Sequence, residues 1–148
     1  MGYIRRMISC TRRIEFDAAH RVMEHESKCR HLHGHRYAVE ATFSANDLDT
    51  LGRVIDFGQV RDTLGGWIDA HWDHATILHE KDLDLGDAIA ARTGQTVFYL
   101  PANPTAEHMA DYLLRDVCPR LFTASGARCV RIRLYETPNC YAEATLKA

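Results

Sequence analysis

The segment CRHLHGHRYAVEATF, residues 29–43, places three histidines and one cysteine directly before an alternating apolar pattern. The apolar residues that share one parity of this pattern are Tyr37, Val39, Ala41 and Phe43. A period of two predicts a half-buried strand, in which residues two apart point to the same face. His33 and His35 share that parity, so both imidazoles face the buried side, about 7 Å apart along the strand. Two parallel imidazoles supply half of a zinc site.

A third ligand can come from a second predicted strand. Residues 8–19 also alternate, and the buried parity of this strand comprises Ile14, Phe16 and Ala18. His20 continues that parity, so it faces His33 and His35 if the two strands pair. Three histidines leave a fourth position open, as in a catalytic zinc site, whereas no second ligand pair is present to complete a zinc finger. The histidines interpreted as solvated or hydrogen-bonded are His25, His31, His79 and His108.

The remaining patterns predict helices between strands. Residues 54–72 have helical spacing with Asp56 as the N-cap, 96–103 resemble a short strand, and 104–119 contain an apolar helical stripe between two prolines. The last predicted strand has a buried parity of Val130, Ile132 and Leu134. Strands at both ends indicate one α+β domain, residues 1–148, in which an antiparallel sheet is covered on one face by two main helices.

Composition restricts the function classes. The formal net charge of −2 gives no reason to expect binding to nucleic acid or to a membrane surface. The sequence lacks the apolar region of a signal peptide and any run near the roughly 18 residues of a membrane helix. Five scattered cysteines without a Cys-x-x-Cys pair indicate a reduced, cytoplasmic protein. The arginines of the first quarter suit solvated strand faces or a small anionic ligand; they are Arg5, Arg6, Arg12, Arg13, Arg21, Arg30 and Arg36.

Four further residues indicate proton chemistry and ligand binding. Cys29 stands between two cationic residues, which favour a thiolate that can take a proton, although a single cysteine also fits inert packing. Asp73 directly precedes His74, and a carboxylate beside an imidazole can orient the ring and stabilise its protonated form. Glu136 has the buried parity of the last strand, and its carboxylate needs a partner such as the paired N–H donors of a guanidine-like ligand.

Six short segments follow one another along the chain: FDAAHRV, CRHLHGHRY, GRVIDFGQV, WDH, NPTAEHMADYL and RLYETPNC. Their types and order resemble the 6-pyruvoyl-tetrahydropterin synthase family over roughly residues 10–142. The Cys-x-x-x-His spacing is most similar to the bacterial branch that forms 6-carboxy-5,6,7,8-tetrahydropterin in queuosine biosynthesis. The pyruvoyl-forming enzymes of animals typically have a longer gap at this position.

The resemblance implies a role for each candidate residue. The implied Zn²⁺ ligands are His20, His33 and His35. The residues implied in proton transfer are Cys29 as the base and Asp73 with His74 as a relay on the other face of the substrate. The residues implied in binding the amino-pyrimidine edge of a pterin are Glu136, Thr105 and Glu107.

The resemblance also implies the tunnelling fold and a reaction. In this fold, antiparallel strands backed by two helices trimerise into a β-barrel and stack as a hexamer, with active sites at subunit interfaces. The implied substrate is 7,8-dihydroneopterin triphosphate, whose side-chain hydroxyls are polarised by zinc. A thiolate removes a carbon-bound proton, triphosphate leaves, and acetaldehyde is released. A further hypothesis is that the N-terminal arginines steer or hold the triphosphate, and substitution of Arg12 or Arg21 tests it for each residue.

Residues 75–102 form a longer connection than in the shortest bacterial members. Within it, TVFYL predicts an added strand and DLGDAIAARTG a short helix, and the segment either pads the sheet or reshapes the pocket. The alternatives are therefore a 6-pyruvoyl-forming or side-chain-cleaving relative, a non-catalytic zinc or pterin binder, and a zinc hydrolase that does not need Cys29.

Overall fold

The computed structural model describes residues 6–147, so Arg5 lies outside the described residues. A six-stranded sheet has the order β4-β3-β1-β2-β5-β6. The strands are β1 (Ser9–His20), β2 (His33–Ala45), β3 (Ala75–His79), β4 (Val97–Leu100), β5 (Ala127–Thr137) and β6 (Cys140–Thr145). The helices are α1 (Phe57–His71), α2 (Leu83–Thr93), α3 (Ala106–Tyr112) and α4 (Cys118–Leu121), with a 3₁₀ turn at Lys28–Arg30 and a π-helical turn at Leu113–Val117. Among the described residues no helix is long and apolar enough to cross a membrane.

The centre of the sheet is the antiparallel pair of β1 and β2. Its register runs from Ser9 opposite Ser44 to His20 opposite His33, so the two predicted strands pair over their whole length. β1 buries alternate residues from Phe16 to His20, as the sequence pattern predicted, whereas β2 also buries Ala38 and Thr42 on the opposite parity. The fully buried side chains of the pair include Phe16, Tyr37, Val39, Ala41 and Phe43. This apolar face forms the sheet side of the hydrophobic core.

Helix α1 packs on β1, and α3 packs on β5 and β6, so the two helices cover the apolar face of the sheet. α1 begins after Asp56, whose side chain accepts a hydrogen bond from the Gly58 N–H at 3.1 Å, so the predicted N-cap is confirmed. The helical residues that complete the core include Val60, Leu64, Ile68, Met109, Ala110 and Leu113. Because the opposite face of the sheet carries polar residues, the histidines of the buried parity lie on the helix-covered side.

The helical segment that follows Thr105 continues past Pro119. A π-helical turn separates α3 from α4, and in it the Cys118 N–H bonds to the carbonyl of Leu113. Pro119 then lies in the first turn of α4. Proline is tolerated there because the N–H groups of a first helical turn have no partner within the helix. The expected end of the helix at this proline is therefore wrong.

β5 and β6 complete the antiparallel part of the sheet, and β6 was not predicted. The β2–β5 register shifts between Thr42 and Phe43, which makes Val130 the extra residue of a β-bulge. Cys129 and Ile132 are buried on either side of the bulge, while Val130 is only half-buried. The expected inward parity of Val130 is wrong for this reason, whereas the inward parity of Ile132 and Leu134 is confirmed.

The inserted segment adds β3, α2 and β4 to the other edge. The TVFYL strand and the DLGDAIAARTG helix are both present, but β3 was not predicted from the sequence. β3 pairs parallel with both β1 and β4, and α2 forms the crossover connection that parallel neighbours require. The sheet is therefore mixed. The β1–β2, β2–β5 and β5–β6 pairs are antiparallel, and the inserted segment adds two parallel pairs.

A paired charge ties this insertion to the end of β1. Asp82, the N-cap residue of α2, is buried, and its two carboxylate oxygens accept hydrogen bonds from the Arg21 guanidinium. This bidentate geometry gives strong, directional pairing, and it raises the pKa of Arg21. The Arg21 guanidinium is thus already paired with Asp82. This finding does not support the hypothesis that Arg21 binds the triphosphate.

Replacement of Arg21 by methionine is expected to lower the free energy of unfolding by about 2–3 kcal/mol, because Asp82 would remain buried without a counter-charge. The value lies below that of a fully buried pair, since 33% of the Arg21 side chain is exposed. Urea denaturation at neutral pH measures the change. Arg36→Ala, at a side chain 59% exposed, is the matched control and should cost about 0.5 kcal/mol or less. Equal losses in both variants would contradict the proposed role of the Arg21–Asp82 pair.

Candidate metal centre and catalytic residues

Three histidine rings converge at one end of the β1–β2 pair. The register places His20 opposite His33, and His35 lies on the same face two residues along β2. The ring centroids are 4.7 Å apart for His20 and His33, 5.1 Å for His20 and His35, and 4.9 Å for His33 and His35. One nitrogen from each ring lies within 4.8 Å of the others. Small ring rotations would bring all three onto one ion at the usual bond length of about 2.0–2.1 Å.

Backbone carbonyls orient two of these rings. His20 Nδ1 lies 2.6 Å from the carbonyl oxygen of Pro104, and His33 Nδ1 lies 2.7 Å from that of His31. A carbonyl oxygen only accepts, so each Nδ1 carries the proton and donates it. The Nε2 atom of each ring then keeps a free lone pair, which is the arrangement of metal-binding histidines.

Two of the Nε2 atoms require a partner that the chain does not supply. Within residues 6–147, His20 Nε2 and His35 Nε2 are buried and have no hydrogen-bond partner. A buried polar atom left unpaired costs about 1–3 kcal/mol, and such atoms are rare in folded proteins. A metal ion bound to both nitrogens removes this cost. The donor set, three histidines with an open fourth position, fits a divalent metal of the catalytic type.

Burial keeps His20 and His35 uncharged and therefore able to bind a metal. Removal from water lowers the pKa of His20 from 6.5 to about 4, although its hydrogen bond to Pro104 acts in the opposite direction. Burial also lowers the pKa of His35, against an opposing effect of the Glu136 charge. Both rings are neutral at pH 7, the protonation state that metal binding requires.

Glu136 and Tyr37 adjoin the cluster on the helix-covered side. Glu136 Oε2 lies 3.8 Å from His35 Nε2, and 30% of the Glu136 side chain is exposed. Tyr37 is fully buried, with its ring edge-on to His20 and His35 at centroid distances of 5.8 and 5.4 Å. Burial, and secondarily the charge of Glu136, raise the pKa of Tyr37 far above its ordinary value, so its hydroxyl stays protonated. A carboxylate accessible to a ligand therefore lies beside the metal site.

Thr105 and Glu107 lie at the start of α3, next to the carbonyl that holds His20. Thr105 is the N-cap of α3, and its hydroxyl accepts the His108 N–H at 3.1 Å. Glu107 is exposed in the first helical turn, where its charge suits the helix dipole. Both residues thus have a helix-starting role, and they adjoin the site through Pro104.

Cys29 lies in the turn that connects β1 to β2. The 3₁₀ turn Lys28–Arg30 holds it half-buried, and its carbonyl accepts the Val22 N–H at 2.9 Å. Two residues later, the carbonyl of His31 orients His33. The turn that carries the cysteine is therefore tied to the end of β1 on one side and to a candidate metal ligand on the other.

Asp73 and His74 form a hydrogen-bonded pair before β3. His74 Nδ1 lies 2.9 Å from Asp73 Oδ2, and Asp73 Oδ1 accepts the Asp17 N–H at 3.0 Å. His74 has a φ of 59°, a left-handed conformation that its N–H bond to the Asp17 carbonyl holds in place. Burial favours a higher pKa for Asp73, but the hydrogen bonds from Asp17 and His74 outweigh it and lower that pKa. The hydrogen bond with Asp73, followed by its negative charge, raises the pKa of His74.

This pair lies on the opposite face of the sheet from the histidine cluster. Asp17 and Arg36 face each other across β1 and β2 on the polar parity, and they form an ion pair of 2.9 Å. Together with His74 and Gln95 they line a shallow cavity of about 410 Å³, whose lining also includes His35. The structure therefore brings Glu136 to the cluster, but it does not bring His74 to the same face within one chain.

Sequence reasoning missed the parts of the site that contribute through the main chain. Pro104 is separated from His20 by 84 positions, and its carbonyl has no sequence signal. The side chain of His31 is exposed, as predicted, yet its carbonyl orients His33. Tyr37 shares the parity of both strand histidines, and this signal could have placed it at the base of the cluster.

Comparison with known proteins identifies the family. A family model described as 6-pyruvoyl tetrahydropterin synthase matches residues 9–147. The 6-carboxy-5,6,7,8-tetrahydropterin synthase of Rickettsia bellii is 50% identical over 137 residues, which cover 93% of this chain and 99% of the relative. The enzyme of that name from Haemophilus influenzae is 30% identical over 144 residues, covering 93% and 98%. The chain belongs to the 6-pyruvoyl tetrahydropterin synthase family.

Two solved structures share the fold described above. The Caenorhabditis elegans 6-pyruvoyl tetrahydropterin synthase superposes with a TM-score of 0.68 at 18% identity, covering 99% of this chain and 100% of that one. An uncharacterized protein from Wolinella succinogenes gives 0.79 at 20% identity, covering 97% and 100%. The chain has the tunnelling fold, in which a mixed sheet curls into a half-barrel with few helices.

The metal-free protein is expected to lose stability on acidification because of His20. Its pKa is 6.5 in the unfolded chain and about 4 in the fold, so between these values only the unfolded state binds the extra proton. The free energy of unfolding should therefore fall by up to about 3 kcal/mol as the pH drops from about 6.5 to about 4.

Urea denaturation of chelator-treated protein over this pH range measures the loss. In the His20→Gln variant, position 20 has no group that titrates in this range. The fall in the free energy of unfolding between pH 6.5 and pH 4 should therefore be smaller in the variant by about 3 kcal/mol. Equal pH dependence in both proteins would contradict the prediction.

Proposed function

We propose that the protein converts 7,8-dihydroneopterin triphosphate into 6-carboxy-5,6,7,8-tetrahydropterin, releasing acetaldehyde and triphosphate, in queuosine (7-deazaguanine) biosynthesis. The observation that carries this proposal is an identity of 47–50%, over 93% of the chain, with four Rickettsia proteins named 6-carboxy-5,6,7,8-tetrahydropterin synthase. The histidine cluster supports the proposal, because it lies beside a carboxylate that a pterin could reach.

Zn²⁺ is the proposed metal, held by His20, His33 and His35 as three neutral nitrogen ligands. When bound, zinc supplies Lewis-acid polarisation of the substrate's side-chain oxygens. The chain's own contribution is to fix the ligands, through the carbonyls of Pro104 and His31, in the orientation that leaves Nε2 free.

Glu136 is proposed to bind the pterin ring. Its partly exposed carboxylate can accept two parallel N–H bonds from the amino-pyrimidine edge of the ligand. Glu136 lies near His35. A pterin ring bound to Glu136 would therefore direct the substrate's own side chain toward the histidine cluster. Thr105 and Glu107, at the start of α3, are proposed to contact the ring from the neighbouring wall.

Cys29 is proposed as the base that removes a carbon-bound proton from the substrate side chain. Its turn is held at both ends, which limits the positions that the thiol can take. Asp73 and His74 are proposed to move protons on the other face of the substrate. The Asp73 carboxylate orients the imidazole and raises the pKa of His74, so His74 can retain a proton near neutral pH.

The proposed site requires more than one copy of the chain. The sheet lies between the covered face, where His20, His33 and His35 converge, and the polar face that carries His74, so we infer that a second copy supplies Asp73 and His74. A trimer-based homo-oligomer, a hexamer when two trimers stack, is the assembly we propose. A cytoplasmic location is proposed with it, since all five cysteines are free thiols.

Incubation of zinc-loaded protein with 7,8-dihydroneopterin triphosphate is expected to yield the 6-carboxy product together with acetaldehyde. Mass spectrometry of the pterins distinguishes this outcome from the nearest alternative, a 6-pyruvoyl product. Cys29→Ala is expected to reduce turnover by about 10²-fold or more while zinc content stays unchanged. Unchanged turnover in this variant would favour a hydrolase or another base, and an unchanged substrate with full zinc occupancy would favour a non-catalytic binder.

Mixed oligomers test the sharing of sites between copies. Cys29→Ala and His74→Ala are each expected to be nearly inactive, but oligomers reassembled from both should recover part of the wild-type activity. Recovery is expected because some interfaces then combine an intact Cys29 with an intact His74. A matched mixture of Cys29→Ala and His33→Ala should stay inactive, since both residues belong to one turn and strand. Equal recovery in both mixtures, or none in either, would overturn the arrangement.

A further inference from the structure

Two buried cysteines lie together at the end of the sheet remote from the histidine cluster. Cys118 begins α4 after the π-helical turn, and Cys129 lies on β5 next to the bulge. Both side chains line the same cavity, they are 2% and 5% exposed, and each thiol affects the ionisation of the other. Cys129 is paired with Phe43 of β2, and His33 begins the same strand, so about 30 Å of strand separates the thiols from the proposed metal site.

A cavity of about 690 Å³ gives access to both cysteines. Apolar residues that line it include Leu114, Pro119, Phe122 and Leu146. Arg115 and Arg128 also line it and are exposed, which places cationic groups at its rim. A small uncharged oxidant can therefore enter this cavity beside the two cysteines.

This mutual effect makes the two thiols chemically unequal. A hydrogen bond from Cys118 lowers the pKa of Cys129, against the opposing effect of burial, while the pKa of Cys118 is raised. The thiolate is the nucleophilic form of cysteine. Cys129 is therefore the sulfur that reacts first with an electrophile, and Cys118 lies in position to react with the product.

We propose that Cys118 and Cys129 form an intramolecular disulfide when the protein meets a hydroperoxide. The Cys129 thiolate attacks the O–O bond, gains an OH group as a sulfenic acid, and releases an alcohol, or water if the oxidant is hydrogen peroxide. The Cys118 sulfur then attacks the sulfenic sulfur, forms the S–S bond and displaces the OH group as water. Two thiols and one hydroperoxide thus become one disulfide, one alcohol and one water.

The disulfide would join α4 to β5 across the connection at residues 122–126. It lies outside the proposed catalytic site, so this inference does not depend on the proposed function. A cross-link reduces the conformational freedom of the unfolded chain. The oxidised protein is therefore expected to have a higher midpoint of thermal unfolding than the same protein after reduction.

Peptide mapping without reductant tests the proposal directly. Zinc-loaded protein is treated with one equivalent of hydrogen peroxide, alkylated, and digested with trypsin, which separates the two cysteines onto residues 116–120 and 129–131. The expected result is a species that joins these two peptides and that dithiothreitol separates. Recovery of both peptides alkylated and unlinked, or of Cys129 as a sulfinic acid, from protein that has consumed the peroxide would overturn the proposal.

Two variants sharpen the test. Cys140→Ser, which changes the exposed cysteine, is the matched control and should keep both the cross-link and the rise in thermal midpoint. Cys129→Ser should lose both. The mapping of the unaltered chain does not depend on whether Cys129→Ser folds. Loss of the 116–120 to 129–131 link in Cys140→Ser would show that the exposed thiol takes part, and it would contradict a pair formed by the buried residues.

Discussion

The register between β1 and β2 is the constraint on which the site depends. It sets His20 opposite His33 and leaves His35 on the same face, so that three imidazoles meet without any contribution from a flexible loop. A slip of one residue would turn both β2 histidines to the polar face. The same slip would expose Phe16 or Tyr37, which pair in this register and are buried. The hydrophobic core therefore fixes the metal site, because both use one parity.

The two faces of the sheet have different chemistry. The covered face combines the apolar core with the histidine cluster and Glu136, and the open face carries cross-strand ion pairs and the Asp73–His74 pair. Exposed pairs such as Arg13 with Glu40 contribute little stability individually. Because the sheet separates the two sets of groups, a reaction that uses both requires contacts between copies. The proposed oligomer follows from this separation.

Helix starts and turns connect the fold to the site chemistry. The carbonyl that orients His20 precedes the N-cap of α3, so docking of that helix on the core also sets the tautomer of a metal ligand. The carbonyl of His31 does the same for His33 from within the Cys29 connection. The Cys118–Cys129 pair lies near the other end of β2. The proposed disulfide would therefore form away from the three histidines.

The sequence by itself determined the two long strands, the N-cap of α1, the inserted strand and helix, and the three histidines, because each rests on local periodicity or local turn chemistry. The tertiary structure decided what depends on distant partners. Pairing with β1 and β4 makes β3 a parallel strand, the bulge changes the parity at Val130, and the π-helical turn carries the helix past Pro119. Carbonyl partners and the face on which His74 lies are also set by packing. Sequence patterns reveal which side a residue prefers, but only the folded chain determines which atoms meet there.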